Sequence, residues 1–142
     1  MAVFVSDSPD ETKQIACNLG KTLSDGDVVA MFGGMGMGKT AFTHGLALGL
    51  GIDDKQVSSP TFALVHEYGD KTKLYHFDMY RIESWDDLYS TGFFDYLDSK
   101  GIIAVEWSEN IINALPDNYI KVDFQKGEND NQRIITIGGK EV

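Results

Sequence analysis

The 142 residues suffice for one domain with a single buried core and are too few for two. Against 12 Lys and Arg stand 22 Asp and Glu, and the resulting net charge of -10 repels a bare phosphodiester backbone, which argues against unaided nucleic-acid binding. The single cysteine, Cys17, excludes an internal disulfide and a multi-cysteine zinc site, and no apolar run approaches the roughly 20 residues of a membrane helix.

The opening Met1-Ala-Val-Phe-Val-Ser-Asp-Ser8 has neither a basic start nor a long apolar stretch, so no leader is expected and the expected location is the cytoplasm. Ser8-Pro9-Asp10-Glu11 starts a helix. Ser8 caps it, Pro9 suits the first turn, and the two acids face the positive end of the dipole. Ile15, Ala16, Leu19 and Leu23 continue at helical spacing, and Gly26 closes the unit. Asp27-Val-Val-Ala-Met-Phe32 reads as a strand buried on both faces. A glycine-rich turn over 33–38 leads into a second helix over 39–50, stopped by Gly51. Residues 61–69 and 72–80 are rich in β-branched and aromatic side chains, and Gly69-Asp70 between them predicts an antiparallel hairpin. Ser84, three residues before Asp87, begins a short helix. Residues 102–105 form another buried strand, and 119–125 and 132–138 form two late strands joined by a polar turn. The order is α/β with antiparallel additions: a mixed sheet with flanking helices and a hairpin, in one domain spanning 1–142.

Gly33-Gly-Met-Gly-Met-Gly38-Lys39-Thr40 satisfies G-x-x-x-x-G-K-[ST] at every fixed position, between a strand and a helix as that motif requires. The glycines let successive backbone N–H groups curl inward into an anion nest, and the following helix adds its positive end. Lys39 supplies a mobile cation for β- and γ-phosphates, and the Thr40 hydroxyl suits Mg²⁺. A G-x-G-x-x-G dinucleotide site fits only with forced spacing and leaves Lys39-Thr40 unexplained. The expected class is a P-loop NTPase.

Phosphoryl transfer needs a carboxylate to share the Mg²⁺ with Thr40. Two acids qualify equally on position. Glu106 ends the strand over 102–105, and Asp78 lies near the end of the second hairpin strand. Between the loop helix and the hairpin, Ser59 and Thr61 carry hydroxyls where related enzymes sense the γ-phosphate. Pro60 alone also accounts for a plain turn there.

The phosphate loop, Ser59-Pro-Thr-Phe, Tyr75-His-Phe-Asp-Met-Tyr-Arg81 and Val105-Glu-Trp107, in this order, resemble the bacterial TsaE (YjeE) family from about Thr12 to Asp117. The resemblance implies a small P-loop ATPase needed for N6-threonylcarbamoyladenosine in transfer RNA. TsaD-like and TsaB-like partners perform the modification, and its ATP turnover keeps them cycling. By position it places the nucleotide contacts on Gly36, Met37, Gly38, Lys39, Thr40 and Ala41, with Asp78 on the nucleotide side and Ser6 to Thr12 near the adenine. It places the magnesium ligands on Thr40 and Glu106, the switch on Ser59 to Thr61, and the catalytic roles on Lys39, Thr61 and Glu106. Gly34, Met35 and Met37 depart from the family's usual loop, at positions that vary.

Other residues read blandly. His44, His66 and His76 lack metal-site spacing, although His66 and His76 can face each other across the hairpin. Cys17 has no visible activating partner. Trp85, Tyr89, Phe93, Phe94 and Tyr96 form either a partner surface or part of the core, the core being the commoner role for aromatics at helical spacing. A small-molecule kinase is a competing reading, but a lid needs several arginines, and Arg81 and Arg133 are far apart in sequence. A nucleotide-dependent binding switch without turnover is the other.

Overall fold

The computed structural model describes residues 1–34, 36–57 and 65–140. In chain order the elements are β1 (Ala2–Ser6), α1 (Pro9–Gly20), β2 (Val28–Phe32), α2 (Lys39–Gly49), β3 (Val65–Tyr68), β4 (Leu74–Asp78), α3 (Trp85–Ser90), α4 (Phe93–Leu97), β5 (Ile102–Glu106), β6 (Ile120–Lys126) and β7 (Arg133–Gly138). Short 3₁₀ turns lie at Asp54–Gln56 and Ser108–Ala114.

Among the described residues the strands form one sheet in the order β1-β7-β6-β2-β5-β4-β3. The four central strands, β6, β2, β5 and β4, run parallel. Antiparallel strands close both edges: β3 beside β4, and β7 followed by β1 beyond β6. The predicted hairpin and the two late strands are therefore both present. Every residue of β2 and β5 is buried, as continuous apolar runs in a two-sided sheet require.

Alternate residues of those strands feed two cores. Val29, Met31, Ala104 and Val122 face α1 and α2, where Leu19, Phe42 and Leu46 fill the space. Val28, Ile103, Val105 and Phe77 face the other way, against Leu88 of α3, Phe93 of α4 and Ile111. Fully burying one such side chain contributes about 1.5–3 kcal/mol before entropy is counted.

Helix α1 begins as the sequence predicts: Ser8 is the cap, and its side chain accepts the Glu11 N–H at 3.1 Å. It ends at Gly20, so Leu23 lies beyond it but still packs against the core. The approach of α1 to α2 is close enough to demand glycine. A Cβ at Gly45 would collide with the Lys13 carbonyl, and one at Gly49 with the Cys17 carbonyl.

One sequence expectation needs correction, and two features lie outside what the sequence predicts. Strand β1 was not expected; only Phe4 of its apolar residues packs on the core, while Val3 and Val5 are exposed, so the strand rests on pairing with β7 rather than on a hydrophobic pattern. The aromatic group divides: Phe93 is fully buried, but Trp85 and Tyr89 are 53% and 64% exposed. Glu106 stands at a strand end yet is only 6% exposed, so it belongs to the interior rather than the solvated rim. No helix among the described residues is long and apolar enough to cross a membrane.

Candidate functional site

Parallel strands direct their C-terminal ends to one edge of the sheet, where the phosphate loop, Asp78 and Glu106 lie. The chain leaves β2 at Phe32, turns through the glycines and enters α2 at Lys39. Gly33, Gly36 and Gly38 have φ of 144°, 75° and 98°, values that L side chains rarely adopt. Gly38 is the cap residue of α2 and offers no side chain to the first-turn N–H groups. Those donors thus remain free for an anion at the positive end of the helix. Met37, Thr40 and Ala41 flank this turn, and Met37 packs against the core.

Lys39 is 5% exposed. Its Nζ donates to the Gly33 carbonyl at 2.7 Å and lies 3.9 Å from the centroid of the Trp107 ring. Trp107 reaches it from a left-handed backbone, φ 59°, unusual for a bulky residue and costing about 1–2 kcal/mol. Burial pushes the Lys39 ammonium below the usual lysine value, and the charges of Glu106, Glu109 and Asp78 pull it part of the way back. The charges of three carboxylates thus act on one ammonium.

Asp78 and Glu106 are register partners on β4 and β5, so both acids offered by the sequence stand side by side. Asp78 accepts the Tyr80 N–H at 2.9 Å. Burial pushes its carboxyl above the usual aspartate value and Glu106 adds to this, while the Tyr80 bond and the charge of Lys39 oppose it. Glu106 accepts from His76 Nε2 at 2.6 Å, and His76 is fully buried. Glu106 and Asp78 offer carboxylate oxygens, hard donors of the kind Mg²⁺ takes in a site completed by phosphate oxygens. Among the described residues no three His, Cys, Asp or Glu side chains gather into a metal-binding group.

Thr12 is buried, its hydroxyl bonded to Ser6 at 2.7 Å, and its methyl would lie 3.9 Å from a Cβ built at Gly38. The Ser6 to Thr12 stretch therefore borders the phosphate loop. Arg81 is exposed. Ser59, Pro60 and Thr61 lie outside the described residues, as does Met35.

Sequence reasoning missed three participants. Glu109 accepts the Gly33 N–H at 3.2 Å. Arg133, dismissed as remote, donates from Nη2 to the Gly36 carbonyl at 3.1 Å and from Nη1 to the carbonyls of Asp130 and Gln132. That bond fixes the Gly36 carbonyl and, because a trans peptide is planar, fixes the Met37 N–H pointing the opposite way. The pairing of β6 with β7 carries Arg133 across 97 residues of sequence, and no local pattern announces it. His76 is the third. Its place opposite His66 was foreseen and is found, but its bond to Glu106 depends on the β4–β5 register.

The family model described as threonylcarbamoyl adenosine biosynthesis protein TsaE matches residues 6–135. A tRNA threonylcarbamoyladenosine biosynthesis protein TsaE of Treponema pallidum is 35% identical over 138 residues, covering 97% of this chain and 96% of that protein. The protein of that name from Bacillus subtilis is 38% identical over 128 residues, covering 89% and 79%. The crystal structure of Bacillus subtilis YdiB superposes with a TM-score of 0.76 at 32% identity, covering 96% of this chain and 83% of that one.

Proposed function

The chain belongs to the TsaE family, and from that premise we propose that it is the ATP-binding and ATP-hydrolysing accessory protein of tRNA threonylcarbamoyladenosine biosynthesis, its 142 residues forming a single P-loop ATPase domain. The observation that carries the ATPase reading is the complete phosphate-loop motif at the β2–α2 junction, with Lys39 buried and under the charge of two strand-end acids.

Gly36, Met37, Gly38, Lys39, Thr40 and Ala41 bind the phosphates: backbone N–H groups and the end of α2 hold the oxygens, and Lys39 moves from the Gly33 carbonyl to the β- and γ-phosphates. Leaving the Trp107 ring makes that tryptophan a fluorescence reporter of occupancy. Thr12 borders the nucleotide. Thr40 and Glu106 hold Mg²⁺, with Asp78 beside them. When bound, Mg²⁺ supplies charge neutralisation on the transferring phosphoryl group. The acids around Lys39 repel a phosphate chain that arrives without a cation, so nucleotide and cation bind cooperatively.

Slow turnover in isolation follows from what faces the phosphates. Arg133 is engaged by three carbonyls, and Arg81, exposed, is only a candidate for the γ-phosphate. An arginine supplied in trans is worth about 10³–10⁵ in rate. TsaD-like and TsaB-like partners therefore stimulate hydrolysis, docking over Ser59 to Thr61, and the acidic chain reaches tRNA only through them. Steady-state phosphate release with and without the partner pair tests this. Stimulation by the pair, lost in Thr61→Ala while ADP affinity is kept, is expected; an unchanged rate contradicts the reading.

A further inference from the structure

Glu106 is the terminus of a buried hydrogen-bond chain that the nucleotide chemistry does not require. His76 Nε2 meets Glu106 Oε2 at 2.6 Å; His76 Nδ1 meets the Tyr68 hydroxyl at 3.1 Å; and that hydroxyl meets His66 Nδ1 at 3.2 Å. His76 is fully buried and Tyr68 is 3% exposed, so neither is held there by solvent. One assignment of protons satisfies every link: His66 Nδ1–H donates to the Tyr68 oxygen, the Tyr68 hydroxyl donates to His76 Nδ1, and His76 Nε2–H donates to Glu106.

The strand register makes this possible. His76 and Asp78 share a face of β4, Asp78 lies opposite Glu106, and the small Ala104 opposite His76 leaves the imidazole room to reach along β5. Strand β3 then brings Tyr68 and His66 alongside, with His66 directly opposite His76. The chain thus crosses three adjacent strands from the sheet edge to the acid.

We propose that His76 and Tyr68 are positioning residues that fix the Glu106 carboxylate for Mg²⁺. This rests on the ATPase reading above and adds two residues to it. A buried glutamate has three torsions to settle. With Oε2 pinned by a short charge-assisted bond, Oε1 is the oxygen left over, and no described residue hydrogen-bonds it. The imidazole orients the ligand, and Tyr68 orients the imidazole by occupying its other nitrogen, which is how outer partners tune a metal-binding carboxylate. A merely structural network would hold the strands together equally well but leave cation affinity untouched.

The test measures ADP affinity by calorimetry across a Mg²⁺ titration, with no turnover involved. In the wild type, Mg²⁺ tightens ADP binding. In His76→Leu the Mg²⁺ concentration giving half of that gain rises roughly 10–100-fold, while ADP affinity without Mg²⁺ is unchanged. His76→Gln, whose amide reaches the same point, recovers most of the loss. Tyr68→Phe, which removes one oxygen from the core, shifts in the same direction by less and carries the test if His76→Leu does not fold. Wild-type Mg²⁺ response in the folded His76→Leu or Tyr68→Phe overturns the proposal alone. Absence of any Mg²⁺ effect on ADP binding by the wild type overturns it together with the ATPase reading.

Discussion

Two half-sites meet at the C-terminal edge of the sheet, and they are built in opposite ways. The phosphate loop and the start of α2 form one half from eight consecutive residues, and they present backbone N–H groups. Strands β4 and β5, with antiparallel β3 beside them, form the other half from side chains up to 40 residues apart, Glu106 with His66, Tyr68 and His76. The first half constrains the sequence through shape: only glycine accepts its positive φ angles. The second constrains it through pairing, because each buried polar atom needs a partner at one register. The contrast teaches that the anion grip is a local property and the cation grip a tertiary one, so substitutions in the two halves should fail differently.

The largest effect is expected at Lys39. Lys39→Ala removes the only basic side chain in the loop, should abolish detectable phosphate release, and should weaken ATP binding by about 1.5–3 kcal/mol, the cost of a lost charged hydrogen bond. Release near the wild-type rate would break the loop half of the comparison.

Glu106→Gln comes next. The amide oxygen still accepts from His76, so the fold is retained, but the charge offered to the cation is gone. Hydrolysis should require far higher Mg²⁺ than the wild type in a phosphate-release titration. Glu106→Ala, by contrast, leaves the His76 N–H buried and unpaired and should also cost about 1–3 kcal/mol in thermal unfolding. A normal Mg²⁺ response in Glu106→Gln transfers the cation to Asp78.

Arg133→Ala sharpens the boundary between the halves. It releases the Gly36 carbonyl without touching a strand-end acid, so ADP affinity should fall by about 0.5–1.5 kcal/mol while the Mg²⁺ response stays intact. If the Mg²⁺ response falls instead, the two half-sites are not separable.

How much of this was legible depends on the same contrast. The strand–turn–helix junction around the loop was readable because its requirements are contiguous, and the buried runs at β2 and β5 announced two central strands. Glu106 and Asp78 were legible as acids at strand ends, but not as neighbours, since only the β4–β5 register places them together. Strand β1 gave no signal because one of its faces is exposed and its place is set by β7. Arg133 and Glu109 gave none because each reaches the loop across a turn whose path the sequence does not specify.

The smallest expected effect is one of stability. Asp78 has its carboxyl pushed above the unfolded value of 3.8, so ionising it opposes folding. Below the unfolded value the group is protonated in both states and costs nothing; as pH rises through the folded value the penalty becomes complete. Asp78→Asn keeps an acceptor for the Tyr80 N–H and should raise the melting temperature at pH 7, a gain that vanishes toward pH 3. An equal gain at both pH values would assign the effect to packing rather than charge.

The division of labour between the halves is tested most directly by ADP calorimetry in Mg²⁺-free buffer on Lys39→Ala and Glu106→Gln side by side. The account predicts that Lys39→Ala loses affinity and Glu106→Gln does not, its defect emerging only when Mg²⁺ is added. Equal losses of Mg²⁺-free affinity in the two variants would contradict it.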